Sequence, residues 1–283
     1  MSYDGNSIQV ALFGESDVGK SHYGAQLLSR IEVEACELKL RTTPDDISPF
    51  EEVRKRLNAG LLADHTPSGV YRESLWEVED GKGNEFELIW PDYAGEQIRQ
   101  LIDTRRMGRE WVERTQAAHG WILMVRPKLS RQDDDIFSRP LADLRRADED
   151  GVDNKPHRTI QSRLVELLQL LLHARGGRDR GPVPRMTVLL SCWDELKLPA
   201  GTKPADVLEK TLPLLASFIR SRWSDRCEVF GLSALETELD KEKANEDFVN
   251  KGPEQFGYVV GRDGQQLADL TLPIIHLAAV SRQ

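Results

Sequence analysis

A run near the N-terminus combines residue types that only phosphate chemistry explains well: Gly14-Glu15-Ser16-Asp17-Val18-Gly19-Lys20-Ser21 reads GxxxxGK[ST] without a departure. The two glycines let the backbone curl around phosphate oxygens where a side chain would collide. Successive N–H groups then point inward, and the helix that opens at Ser21 adds the positive end of its dipole. Lys20 can reach the β- and γ-phosphates of a nucleoside triphosphate, and the Ser21 hydroxyl can ligate magnesium. Gly14, Asp17, Val18, Gly19 and His22 complete the expected phosphate-binding set. The bland alternative is a glycine-rich turn with a solvated lysine. The context argues against it, because an apolar run at 8–13 (IQVALF) precedes the loop and a helical pattern at 21–31 follows.

A second carboxylate stands at the end of another apolar run, in Ile89-Trp90-Pro91-Asp92-Tyr93-Ala94-Gly95. Asp92 can hold magnesium through a water, opposite Ser21, and the Gly95 N–H can meet the γ-phosphate. Alone, DxxG is a weak signal. Here a hairpin strengthens it: YRESLWEVE (71–79) and EFELIW (85–90) flank DGKGN, whose glycines suit a reversing turn. Most P-loop ATPases reach this strand by a helical crossover, whereas here an antiparallel neighbour precedes it.

That layout, from Gln9 to about Leu235, resembles the translation-factor-related (TRAFAC) GTPases, the clade of Ras and the elongation factors. Two further motifs fall in the family's order. Leu189-Leu190-Ser191-Cys192-Trp193-Asp194 stands where such proteins carry a strand ending in Asn-Lys-x-Asp, and Gly231-Leu232-Ser233-Ala234-Leu235 where they carry Ser-Ala-x. The resemblance implies that Asp194 accepts the ring N–H and the exocyclic amine of guanine. A bidentate contact of that kind discriminates by roughly 1–3 kcal/mol. Ser191, Ser233, the Ala234 backbone and Leu235 would complete the base site. Ser191 and Cys192 depart from the usual Asn and Lys, and the lost lysine stem implies weaker packing on the base. The alternative for Asp194 is an ordinary helix-start acid.

For the first switch the resemblance implies a magnesium-sensing threonine. Thr66, in Asp64-His65-Thr66-Pro67, precedes the hairpin at a suitable distance; Thr42 and Thr43 are rivals, and a plain turn threonine before proline is the alternative. The runs RLNAGLLADHTP, SCWDEL and GYVVGRDGQQLADLTLPI are similar to bacterial double-GTPase families of conflict and signalling systems. That similarity implies a prokaryotic cytoplasmic switch binding GTP/GDP and Mg2+ and acting through effector or activating proteins, with defence among its settings.

Ras-like enzymes orient the attacking water with a glutamine directly after the DxxG glycine. Glu96 occupies that position and Gln97 follows. A carboxylate beside the γ-phosphate repels it and donates no hydrogen bond, so catalysis would fall to Lys20 with Gln97 or Glu96, and turnover is expected to be slow without a partner. Arg99, Arg105, Arg106 and Arg109 offer an internal arginine finger or, more commonly, a solvated helix face. Two rival functions remain: a scaffold that holds GTP with little hydrolysis, and an ATP-using P-loop enzyme.

These residues need a sheet whose strand ends gather at one edge. Apolar runs at 121–125, 186–190 and 228–232 alternate with helical patterns at 49–59 and 164–174. The expected fold is α/β: a three-layer P-loop NTPase fold, mostly parallel sheet with one antiparallel strand in a hairpin, and helices on both faces. The 283 residues read as a single domain, 1–283, with a charged insertion at about 127–183 and a C-terminal extension after about 236.

Composition limits the alternatives. With 47 acidic against 38 basic residues the net charge is −9, unlike a protein that coats nucleic acid. No apolar run approaches the roughly 20 residues of a bilayer span, and the first residues show neither the basic flank nor the apolar core of a secretory signal. Three widely spaced cysteines fit a reducing cytosol better than a disulfide framework. Neither HExxH nor GxSxG occurs.

Overall fold

The computed structural model describes residues 8–44, 46–63, 72–92, 95–130, 158–176 and 183–280; at 72, 73, 91, 92, 95, 96 and 278–280 it describes the backbone course alone. Its elements in chain order are β1 (Ile8–Phe13), α1 (Lys20–Glu32), β2 (Lys39–Leu40), α2 (Ser48–Asn58), β3 (Arg72–Glu79), β4 (Glu85–Asp92), α3 (Gly95–Thr104) and α4 (Arg109–Ala117). There follow β5 (Gly120–Val125), α5 (Pro127–Ser130), α6 (Ile160–Ala174), β6 (Arg185–Ser191), α7 (Pro204–Thr211) and α8 (Pro213–Trp223). The last part of the chain supplies β7 (Cys227–Ser233), α9 (Glu246–Lys251), β8 (Tyr258–Val260), β9 (Gln266–Leu267) and α10 (Leu272–Val280).

The strands form one nine-stranded sheet in the order β2-β3-β4-β1-β5-β6-β7-β8-β9. From β4 to β7 all neighbours are parallel, so these strand ends point to one edge. The hairpin β3–β4 is antiparallel, with Trp76 opposite Leu88 and Arg72 opposite Asp92. At the far edge β8 pairs antiparallel with β7, and β9 with β8, a second reversal that the sequence reading lacked.

Buried parallel strands carry apolar side chains on both faces, which is why β1 (IQVALF) is buried throughout instead of alternating. Its residues divide between two cores. Ile8, Val10 and Leu12 join α1, α2 and α10 on one face. Ala11 and Phe13 join α3, α4, α6, α7 and α8 on the other. The chain therefore leaves β1 toward one face and leaves β4 toward the opposite face, opening a crevice at the strand ends where ligands settle.

The first core is aromatic. Trp76 and Trp90 stack at 5.5 Å, Phe50 meets Trp76 edge-on at 5.4 Å, and Tyr23 sits 5.4 Å from Trp90. α1 approaches this cluster at Gly24, where an added Cβ would lie 2.5 Å from the Phe50 ring.

Within the segment expected as a charged insertion, α6 is a layer helix. Leu164, Leu167, Leu168 and Leu171 are buried in the second core, and Thr159 caps the helix by accepting from the Ser162 N–H. Residues 131–157 lie outside the described part. The chain after 236 is tied to the rest with similar firmness. The buried Gln26 side chain donates to the carbonyls of Ala234 and Pro253, both at 3.0 Å. Arg30 donates to those of Phe256, Gly257 and Ala268, and the Tyr23 hydroxyl to that of Leu270. Among the described residues no helix is long and apolar enough to cross a membrane.

Candidate nucleotide site

The phosphate loop turns sharply after β1. A Cβ on Gly14 would come within 2.9 Å of Val18 Cγ2 and 3.1 Å of the Met124 carbonyl, so this position admits no side chain. Asp17 and Gly19 both take left-handed backbone conformations, at φ 64° and 82°, and α1 begins at Lys20. Aspartate adopts that conformation more readily than most side chains do, and the surrounding packing holds it here. The Lys20 ammonium is buried and donates to the carbonyls of Gly14 (2.9 Å) and Glu15 (2.6 Å), so it lies folded over its own loop.

Glu15 brings a carboxylate into this anion-binding loop. Arg163 of α6 grips it with both arms, Nε to Oε1 at 2.8 Å and Nη2 to Oε2 at 2.9 Å. The pair is nearly enclosed, with side chains 9% and 17% exposed, and it cancels a charge that would otherwise oppose phosphates. Sequence reasoning missed it. The available signal was an acid inside a phosphate loop, which demands a cation from elsewhere.

The opposite wall is built from the ends of β6 and β7, which run parallel with Ser191 beside Leu232. Ser191 Oγ donates to the Val125 carbonyl at 3.2 Å. Cys192, left-handed at φ 51°, turns the chain into a short 3-10 turn, Trp193–Leu196, that presents Asp194. The Trp193 ring lies flat enough on Gly231 that a Cβ there would approach it to 2.6 Å. Ser233 Oγ donates to Asp194 Oδ1 at 2.5 Å and accepts from the Glu236 N–H at 3.0 Å. Gly257, at φ +107°, passes so close to Ala234 that an added Cβ would stand 2.6 Å from its carbonyl oxygen.

Between these walls lies a cavity of about 570 Å³, within the range of small-molecule sites. Asp17, Val18, Gly19, Lys20, Ser21 and His22 line one side; Ser191, Asp194, Ala234 and Leu235 line the other. Gly14 and Ser233 sit directly behind, one shaping the loop and one holding Asp194. Arg99 also reaches the cavity, whereas Arg105 pairs with Glu166 at 2.8 Å and Arg109 with Glu113 at 2.6 Å.

The backbone of Asp92 ends β4, and Gly95, Glu96 and Gln97 open α3, Gln97 being half-buried. Thr66 lies outside the described residues, as do Tyr93 and Ala94. Of its rivals, Thr42 donates to Glu77 Oε2 at 3.1 Å on the neighbouring β3.

A family model described as Double-GTPase 1 matches residues 11–277. The chain belongs to the Double-GTPase 1 family. This double-GTPase is accordingly a guanine-nucleotide-binding protein of the P-loop GTPase type. No curated protein matches it.

Similar solved structures include the bacterial selenocysteine-specific elongation factor EF-Sec. It is 15% identical over 81% of the double-GTPase and 26% of that chain, with a TM-score of 0.37. The signal recognition particle receptor SRb-GTP/SRX complex from Chaetomium thermophilum is 15% identical over 84% of this chain and 95% of that one, with a TM-score of 0.41. The Arl6 BBS3 small GTPase from Trypanosoma brucei, with bound GppNp, is 12% identical over 82% and 89%, with a TM-score of 0.40. The double-GTPase thus spans about a quarter of the elongation factor's length, 26%.

Proposed function

We propose that this double-GTPase is a magnesium-dependent GTP switch of the bacterial cytoplasm that hydrolyses GTP slowly alone and signals through partner proteins, with defence or conflict signalling as its setting. The observation that carries the reading is one cavity with the phosphate loop on one wall and the Asp194–Ser233 pair on the other.

In this reading the N–H groups of 17–21 take the phosphates, and Lys20 exchanges its two loop carbonyls for the β- and γ-phosphate oxygens. Asp194 spends one side of Oδ1 on Ser233 and keeps acceptor capacity on both oxygens for the two guanine N–H groups. The Ala234 backbone, fixed from behind by Gln26, meets the guanine oxygen. Ser191 braces the turn from β6, and Leu235 closes the base pocket.

Magnesium fits the available donors. Ser21 is in the cavity wall, and the parallel register of β1 with β4 brings Asp92 to the same edge of the sheet. A hydroxyl and a carboxylate are the hard oxygen ligands this ion prefers. Bound there, with Thr66 as the third ligand, it would neutralise charge on the β- and γ-phosphates. Loss of the γ-phosphate would release the segments around Thr66 and from Asp92 to Gln97, a difference that a partner reads.

Glu96, beside Gly95, replaces the water-orienting glutamine, which leaves Gln97 to serve and makes intrinsic turnover slow. The same substitution favours a second reading, a GTP-holding scaffold with almost no hydrolysis. Single-turnover hydrolysis of bound GTP separates the two. Slow but complete conversion to GDP supports the switch, an inert complex over hours supports the scaffold, and rapid unaided turnover contradicts both.

A further inference from the structure

We propose that Arg126, directly after β5, is the positioning residue that fixes the phosphate loop against the base-recognition turn. Its guanidinium makes three bonds to two separate loops. Nη1 donates to the Asp17 carbonyl at 3.0 Å, Nε donates to Glu195 Oε2 at 3.1 Å, and Nη2 donates to Glu195 Oε1. Asp17 lies in the phosphate loop, and Glu195 directly follows Asp194 in the turn that presents it.

Both loops need an external brace. Asp17 and Cys192 are non-glycine residues held in left-handed conformations, which relax unless neighbouring groups fix them. A planar fork suits this task, because two parallel bonds to a carboxylate fix orientation as well as distance, and a third arm remains for the carbonyl. Lys128 is a poorer candidate: its ammonium is 3.9 Å from Glu195 and its side chain is 56% exposed. Arg126 lines the cavity and is 26% exposed. Ion pairing with Glu195 also raises its pKa, so it stays charged at any working pH.

The consequence rests on the proposed nucleotide reading. A ligand that touches both loops depends on their separation, and a preset separation spares it the cost of ordering them. The terminal phosphate lies outside this link, so GDP and GTP should feel it equally. Cys192 lines the same wall, so a lysine there would return a cation to the gap.

The test is calorimetric titration of nucleotide-free protein with GDP and a non-hydrolysable GTP analogue, using wild type, Arg126→Ala, Arg126→Lys and the double variant Arg126→Ala/Cys192→Lys. The expected results are at least tenfold weaker binding of both nucleotides to Arg126→Ala, an intermediate loss for Arg126→Lys, and at least threefold recovery in the double variant. Circular dichroism and thermal unfolding without nucleotide check that each variant folds; should Arg126→Ala not fold, Arg126→Lys decides, and wild-type affinity there overturns the proposal. Binding by Arg126→Ala within twofold of wild type, or no recovery in the double variant, also overturns it while leaving the nucleotide site intact. Wild type that binds neither nucleotide would instead remove the functional reading on which the proposal stands.

Discussion

Ser233 Oγ lies 2.5 Å from Asp194 Oδ1, joining the ends of two parallel strands across 39 residues of chain. That bond holds the carboxylate in place before any ligand arrives, which suits the base-reading role proposed for Asp194. Replacing Asp194 by Asn turns half of an acceptor pair into a donor, which opposes the guanine amine but suits the carbonyl that xanthine carries there. Asp194→Asn should lose at least tenfold in GTP affinity and gain for XTP, measured by competition titration. Ser233→Ala removes only the brace and should weaken GTP about threefold to tenfold, as one hydrogen bond of about 1 kcal/mol would.

The nearly enclosed Glu15–Arg163 pair leads to an asymmetric expectation. Truncating Arg163 to Ala strands a carboxylate inside the phosphate loop and should cost about 3 kcal/mol of stability. Glu15→Gln/Arg163→Met replaces the charges by neutral groups of similar size and should fold with a smaller loss. Chemical denaturation of the two variants measures the contrast; equal losses would mean the pair is effectively solvated.

Gly257 sits at φ +107° with its Cα facing the Ala234 carbonyl. Gly257→Ala must both strain the backbone and push the loop around Ala234, which carries the base contact proposed above. The expected cost is about 1–3 kcal/mol of stability, with a larger proportional fall in affinity for GTP than for inorganic pyrophosphate. A fall shared equally by both ligands would place the effect elsewhere.

In the proposed switch, Glu96 follows the glycine that meets the γ-phosphate. Glu96→Gln removes the repulsion and supplies a donor for the attacking water, so single-turnover hydrolysis should rise at least tenfold, whereas Gln97→Ala in the parent chain should slow it. An unchanged rate in Glu96→Gln would assign the water to another group.

Burial pushes the thiols of Cys192 and Cys227 up to about 12. The unfolded chain ionises these groups near the ordinary thiol value of about 8.5, so the folded state holds more protons between there and about 12. Stability should therefore be fully present below that window and fall as pH rises through it. Thermal unfolding from pH 8 to 10.5 reads the slope, and Cys227→Ala should flatten it.

Much of the fold was legible because its signals are local. The phosphate loop, the hairpin and the apolar runs of β1, β5, β6 and β7 each fit within a short window, and their parallel order places the motifs at one sheet edge. What stayed hidden depends on distant partners. Arg163 reaches Glu15 across 148 residues and Arg126 reaches Asp17 across 109, and no periodicity records such a meeting. The helix α6 was legible as well, because its leucines at helical spacing read as a helix at 164–174 despite the charged residues around it. β8 and β9 are too short to announce themselves, at three and two residues. They are held by antiparallel pairing to β7 and to each other, and Arg30 and Gln26 donate to the Phe256 carbonyl just ahead of β8.

The central claim is that one cavity takes the phosphates at Lys20 and guanine at Asp194. Calorimetric titration of nucleotide-free protein with non-hydrolysable GTP and ATP analogues, with and without magnesium, tests it most directly. Tight, magnesium-dependent binding of the guanine analogue, at least a hundredfold stronger than that of the adenine analogue, is the expected result. Equal binding of both would reduce Asp194 to a structural acid and contradict the account.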